Sequence, residues 1–142
     1  MFYPFLIVLW SVWILIATTT SDAYIFLYEQ IVQFSFESSP NFMDLFITSD
    51  IELTSQFYII QKVGHMFTFA LLYILYFYRW KRAGLAILIT SLFAFFTEIL
   101  QLYFHRNGRL FDVGVDILGI IIAYFVREFV TKRVMLTKRG SF

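Results

Sequence analysis

Two pairs of polar residues stand three apart inside otherwise apolar runs of this chain: Lys62 with His65, and Glu98 with Gln101. Arg106 and Arg109 follow in a short polar stretch, and Asp112 and Asp116 stand four apart just after it. Residues at i, i+3 and i+4 share one helix face, so each pair presents two functional groups side by side. Several chemistries suit these types. Lys62, Arg106 and Arg109 can hold a phosphate or another anionic headgroup, Arg being suited to bidentate contact, while Gln101, Asp112 and Asp116 orient the cations and meet polar groups. His65 or Glu98 can act as general base or acid, with Lys62 and Arg106 stabilising developing negative charge. His65, Glu98, Asp112 and Asp116 also have the donor types of metal ligands. The chain has no dense ligand motif such as H-E-x-x-H, so no metal and no cofactor is expected. A purely structural reading stands beside these. Lys62, Arg106 and Arg109 balance Glu98, Asp112 and Asp116, and a salt-bridge network of that kind can join helices. Buried ion pairs are poor sources of stability, which weighs against it.

The elements that carry these residues are apolar. Of 142 residues 60% are hydrophobic, with 19 Phe and 9 Tyr, and only 15% are charged, a composition outside the soluble range. It predicts an all-α integral membrane protein, a single domain over residues 1–142, built as a bundle of about four transmembrane helices. The spans fall at residues 2–20, 57–78, 84–104 and 111–128, each near the roughly 20 residues that a bilayer core requires. The first lacks a basic leader and reads as a retained anchor rather than a cleaved signal. Pro occurs only at Pro4 and Pro40, so the last three helices carry no proline kink. The absence of Cys excludes a disulfide framework, a thiolate metal site and a Cys nucleophile. A net charge of +1 gives no sign of a nucleic-acid partner.

Charge placement sets direction. No Lys or Arg precedes Lys62, and residues 21–56 hold Asp22, Glu29, Glu37, Asp44, Asp50 and Glu52. The turn with Arg79, Lys81 and Arg82, together with the tail from Arg127 to Arg139, carries eight of the eleven basic residues. Basic loops stay cytoplasmic, so both termini are expected inside, with 21–56 and the 105–110 turn outside. Arg106 and Arg109 pull the other way, but the larger counts decide. Long structureless loops are uncommon, so 21–56 is expected to hold one or two short helices. Phe26, Ile31 and Phe34 there can form an interfacial face, or the segment can pack as a loop.

With this topology, Lys62 and His65 lie about 8–12 Å below the outer start of the second span, and Glu98 about 9 Å from the outer end of the third. Asp112 and Asp116 occupy the first turns of the fourth. Three helices thus bring polar groups to one depth in the outer half of the membrane. His105 extends the Glu98–Gln101 face at i+7. Ser91 and Ala94 continue the Glu98 stripe, and Gly119 and Ala123 continue the Asp112–Asp116 stripe. Small residues there allow close helix approach.

Lys62-Val-Gly-His65, Glu98-Ile-Leu-Gln101, Arg106 six residues before Asp112, and Asp116 followed by Gly119 resemble the pattern of the VanZ-like membrane family. That family reads K-x-x-H in one span, E-x-x-Q late in the next, an Arg in the following turn, and D-x-x-x-N/D-x-x-G opening the last. The likeness covers roughly residues 60–121. Many members have Asn where this chain has Asp116, and Arg109 has no secure counterpart. The resemblance implies a multi-pass protein of a bacterial cell membrane, of the Gram-positive kind. The founding member confers low-level resistance to teicoplanin, a lipid-tailed glycopeptide, and a similar role is implied here. The partners so implied are membrane lipids, a lipid-linked cell-wall precursor or a teicoplanin-like lipoglycopeptide.

Two functions follow. One is binding or modifying a lipid-linked envelope component at the outer leaflet. The alternative is an intramembrane acid/base hydrolase or transferase acting on an anionic lipid headgroup. A transporter fits least, because the inner halves of the helices are continuously apolar. The substrate and the oligomeric state are not written in the sequence.

Overall fold

The computed structural model describes residues 2–139; Met1 and residues 140–142 lie outside them. The described residues form helices α1 (Phe2–Thr19), α2 (Ala23–Glu29), α3 (Gln56–Trp80), α4 (Ala83–Leu102) and α5 (Leu110–Arg139), with a 3-10 turn at Phe42–Phe46 and no strand. Helices α1, α3 and α4 are each long and apolar enough to cross a membrane. At about 1.5 Å per residue α5 spans about 45 Å, longer than a hydrocarbon core of about 30 Å. The run from Ile120 to Arg139 contains neither Gly nor Pro, so nothing ends the helix where its apolar stretch stops near Val126.

The sequence marks the helix ends. Asp22 and Ser55 cap α2 and α3, their side chains accepting from the amides of Ile25 and Tyr58. Gln30 and Lys81 take left-handed backbone conformations that stop α2 and α3. Gln30 ends α2 before Ile31 and Phe34, so the expected interfacial face of Phe26, Ile31 and Phe34 does not lie on one helix. His105 is also left-handed, with φ 53°, and exposed, and it lies beyond the end of α4 at Leu102.

The packing inverts that of a soluble protein. Phe67, Leu88, Leu92, Phe96, Leu118 and Ile122 face outward, while Thr90, Thr97, Glu98, Gln101, Asp112 and Asp116 are buried. Only an apolar surrounding makes this arrangement favourable. Helix α5 packs most extensively on α3, then on α4, and α1 lies against α3 and α4. Trp10 of α1 donates its indole N–H to the Thr68 carbonyl of α3 at 3.0 Å. The core below the polar groups is Ile14, Phe69, Leu72, Tyr73, Ala86, Ala94 and Ile120. Gly119 lets α5 meet α3: a Cβ there would lie 2.3 Å from the Met66 carbonyl oxygen. The small stripe of α5 therefore serves this intramolecular contact.

Residues 30–55 cover one end of the bundle. Ser21 donates its amide to the Gln33 carbonyl at 2.7 Å, and Glu37 donates to the Tyr103 carbonyl at 2.8 Å. Phe36 and Phe42 pack on Tyr103, and Phe34 on Phe104. The same end carries the α4–α5 turn. Arg79, Lys81 and Arg82 lie at the other end, in the α3–α4 turn.

Candidate functional site

Helices α3, α4 and α5 bring the polar residues to the covered end of the bundle. Lys62 donates to Asp112 Oδ2 at 2.6 Å and lies over the Tyr58 ring, 4.7 Å from its centre. One turn deeper on α3, His65 Nδ1 stands 3.5 Å from Asp116 Oδ1, outside hydrogen-bonding geometry. The i, i+3 step on α3 is thus matched by the i, i+4 step on α5, and two cross-helix pairs form at successive levels.

Glu98 faces them from α4 and is fully buried. Its Oε1 accepts from Gln101 Nε2 at 2.6 Å, and its Oε2 accepts from the backbone amide of Arg109 at 3.0 Å. The second bond exists because the turn lies flat on α4. A Cβ at Gly108 would stand 2.1 Å from the Glu98 carbonyl oxygen, so glycine alone permits the approach.

The arginines divide their work. Arg109 turns outward to the covering segment, donating from Nε to Asp50 Oδ2 at 2.9 Å and from Nη1 to the carbonyls of Asp44 at 2.8 Å and Gly108 at 3.1 Å. It ties residues 44–50 to the α4–α5 turn. Arg106 donates from Nη1 to the Thr20 carbonyl at 2.8 Å and has no carboxylate at ion-pair distance among the described residues. Burial pulls its guanidinium below the ordinary value, against the opposing pull of Glu98, Asp22 and Asp112.

Two cavities meet at Arg106. A polar one of about 430 Å³ is walled by Lys62, Gln101, Arg106, Arg109 and Asp112, with Asp22 and Asp50 at its side. An apolar one of about 120 Å³ runs along Trp13, Ala17, Leu27, Ile60 and Phe69, with His65 in its wall. Ala23, Phe57, Gln61 and Arg106 line both.

All eight residues singled out by type and spacing therefore gather in one region, in two layers. Lys62, Gln101, Arg106, Arg109 and Asp112 border the polar cavity; His65, Glu98 and Asp116 form the layer beneath. Sequence reasoning missed Asp50 and Thr20, which hold the arginines, and Gly108. A glycine between two arginines in a short interhelical turn is the one signal that was available.

A protein-family model described as VanZ/LLP1 matches residues 1–131. The chain is also 36% identical over 118 residues to the uncharacterized membrane protein YwnJ of Bacillus subtilis (strain 168), covering 81% of this chain and 82% of the relative. No solved structure matches it. The match over nearly the whole chain, the membrane-protein relative and three helices able to span a bilayer agree: the chain is a multi-pass membrane protein of the VanZ/LLP1 family.

Proposed function

We propose that this protein binds the anionic headgroup of a membrane lipid or lipid-linked cell-wall precursor at the outer leaflet, and so contributes low-level protection against teicoplanin-like lipoglycopeptides. The observation that carries this reading is Arg106. It is a half-buried cation without a carboxylate at ion-pair distance among the described residues, placed where a polar cavity meets an apolar groove. A phosphate headgroup in the first cavity and an acyl or polyprenyl chain in the second would satisfy both. Guanidinium donors aimed at a phosphate make strong, directional hydrogen bonds, and a desolvated Arg gains most from them.

The topology that serves this function places α5 as the fourth crossing, both termini in the cytoplasm and the covered end of the bundle outside. The Arg79–Arg82 turn and the basic residues after Arg127 support that direction. Tags placed within residues 38–41 and after the C-terminus should report opposite sides.

The test is teicoplanin susceptibility of a sensitive Gram-positive host expressing the parent chain, Arg106→Ala or Arg106→Lys, at matched membrane levels. Protection by the parent, loss with alanine and partial retention with lysine support the reading. Equal protection from Arg106→Ala, or none from the parent, sinks it.

One observation favours a catalytic reading as well. His65, Glu98 and Asp116 offer acid/base groups within 4.8 Å of one another, and His65 also borders the lipid groove. A hydrolase or transferase acting on the headgroup would lose turnover with His65→Gln while still binding lipid.

A further inference from the structure

We infer that His65, Glu98 and Asp116 form a binding site for a divalent transition-metal ion of the zinc type. The inference does not rest on the lipid-binding reading. One ligand atom from each residue can be chosen so that all three lie within 4.8 Å of one another. Each comes from a different helix: α3, α4 and α5.

Burial alone would not point to a metal; the missing partners do. Asp116 is fully buried, and among the described residues neither of its carboxylate oxygens has a hydrogen-bond partner. His65 Nδ1, facing it, has none either. A buried polar atom without a partner costs about 1–3 kcal/mol, and this cluster holds three of them at one point. The neighbouring acids are served differently. Asp112 has Lys62 and Asp50 has Arg109. Glu98 and Asp116 have no Lys or Arg at ion-pair distance among the described residues.

The donor set chooses the class of ion. One imidazole and two carboxylates suit zinc and its first-row neighbours, whereas calcium and magnesium take oxygen ligands in larger number. Donors at about 2.0–2.2 Å from a common centre stand about 3–4 Å apart, so atoms within 4.8 Å of one another are already near that spacing. The supporting contacts are already present. Gln101 and the Arg109 amide each hold one oxygen of Glu98, leaving further lone pairs on both, as hydrogen-bonded ligating carboxylates do elsewhere. Asp112, one turn from Asp116, lies outside the group of three: its Oδ2 accepts from Lys62, and its Oδ1 has no hydrogen-bond partner among the described residues. The ion would sit beneath the polar cavity, with Gln101 between the two.

The experiment uses the full chain purified in detergent with a histidine-free tag, stripped with a chelator, then exposed to Zn²⁺ or Co²⁺ and desalted. The parent should retain about one equivalent of zinc and, with cobalt, develop ligand-field absorption bands. Asp116→Asn and His65→Gln should abolish both. Gln101→Leu, which frees one oxygen of Glu98, should weaken zinc binding about 10–100-fold. Arg106→Ala, which removes the headgroup cation, should keep the ion, so that failure of the lipid reading and failure of this one are told apart. A parent chain that is helical and monodisperse yet retains neither metal overturns the inference, and needs no variant to fold. Parent-like affinity in Asp116→Asn overturns it as well.

Discussion

The backbone amide of Arg109 donates to Glu98 Oε2 at 3.0 Å, fastening the last residue of the α4–α5 turn to a carboxylate on the helix before it. Gln101 holds the other oxygen at 2.6 Å. Glu98 is therefore the acceptor that closes the turn, whatever chemistry it also performs. Glu98→Gln keeps one carbonyl oxygen for the Arg109 amide, and a flipped Gln101 can accept from the new amide group. Its stability in detergent should fall by less than about 1 kcal/mol. Glu98→Leu leaves both donors buried without an acceptor, at about 1–3 kcal/mol for each. Thermal unfolding of the two variants checks this, and equal losses would deny Glu98 its place as the acceptor.

Lys62 and Asp112 form a closed pair between α3 and α5, with side chains 15% and 6% exposed. Removing one partner strands the other charge. Lys62→Met should therefore destabilise by about 3 kcal/mol, and the double variant Lys62→Met with Asp112→Leu should recover most of that loss. A double-mutant cycle on denaturation midpoints measures the coupling. If the pair also serves the headgroup, the double variant will fold and still fail to protect its host.

The two cross-helix pairs show what the sequence made legible. Lys62 and His65, three apart, had to face one direction, as did Asp112 and Asp116, four apart, and apolar runs on either side fixed the helices that carry them. Glu98 and Gln101 were readable in the same way. The bonds of Arg106 to the Thr20 carbonyl and of Arg109 to Asp50 were not. They depend on how residues 20–55 cross the end of the bundle, and that path follows from turn geometry and long-range amide bonds rather than from periodicity. His105 does line the polar cavity with Gln101, but not by the helical route assumed for it. Counting by sevens assumes the helix continues, whereas α4 ends at Leu102 and the chain turns left-handed at His105. Helix α5 carries the same lesson in reverse, since hydropathy ends near Val126 while the helix runs on to Arg139.

The glycines separate into two kinds that substitution should distinguish. At Gly119 a Cβ would meet the Met66 carbonyl oxygen at 2.3 Å and its Cα at 2.8 Å, so Gly119→Ala must push α5 from α3. A loss of about 1–3 kcal/mol is expected, together with weakening of both cross-helix pairs. A Cβ at Gly114, on the same helix, would meet no other part of the described residues within 4 Å, and Gly114→Ala should stabilise by up to about 1 kcal/mol through helix propensity alone. Melting both variants in one detergent decides it. Equal behaviour would mean that α3 and α5 do not meet at Gly119.

Arg109 reaches three acceptors with one planar group: Asp50 Oδ2 and the carbonyls of Asp44 and Gly108. A lysine ammonium is a point charge on a flexible stem and cannot span that fan of acceptors. Arg109→Lys should therefore keep the charge and the amide bond to Glu98, yet release residues 44–55 from the α4–α5 turn. The readout is limited proteolysis of intact cells or of the detergent-purified chain, because exposed segments are cut in proportion to the population of their open form. Cleavage within residues 44–55 should accelerate several-fold in Arg109→Lys and in Asp50→Asn, while α3, α4 and α5 stay intact. Unchanged cleavage in both variants would mean that the aromatic contacts of Phe34, Phe36 and Phe42 alone hold the cover, and that Arg109 is free to meet a ligand.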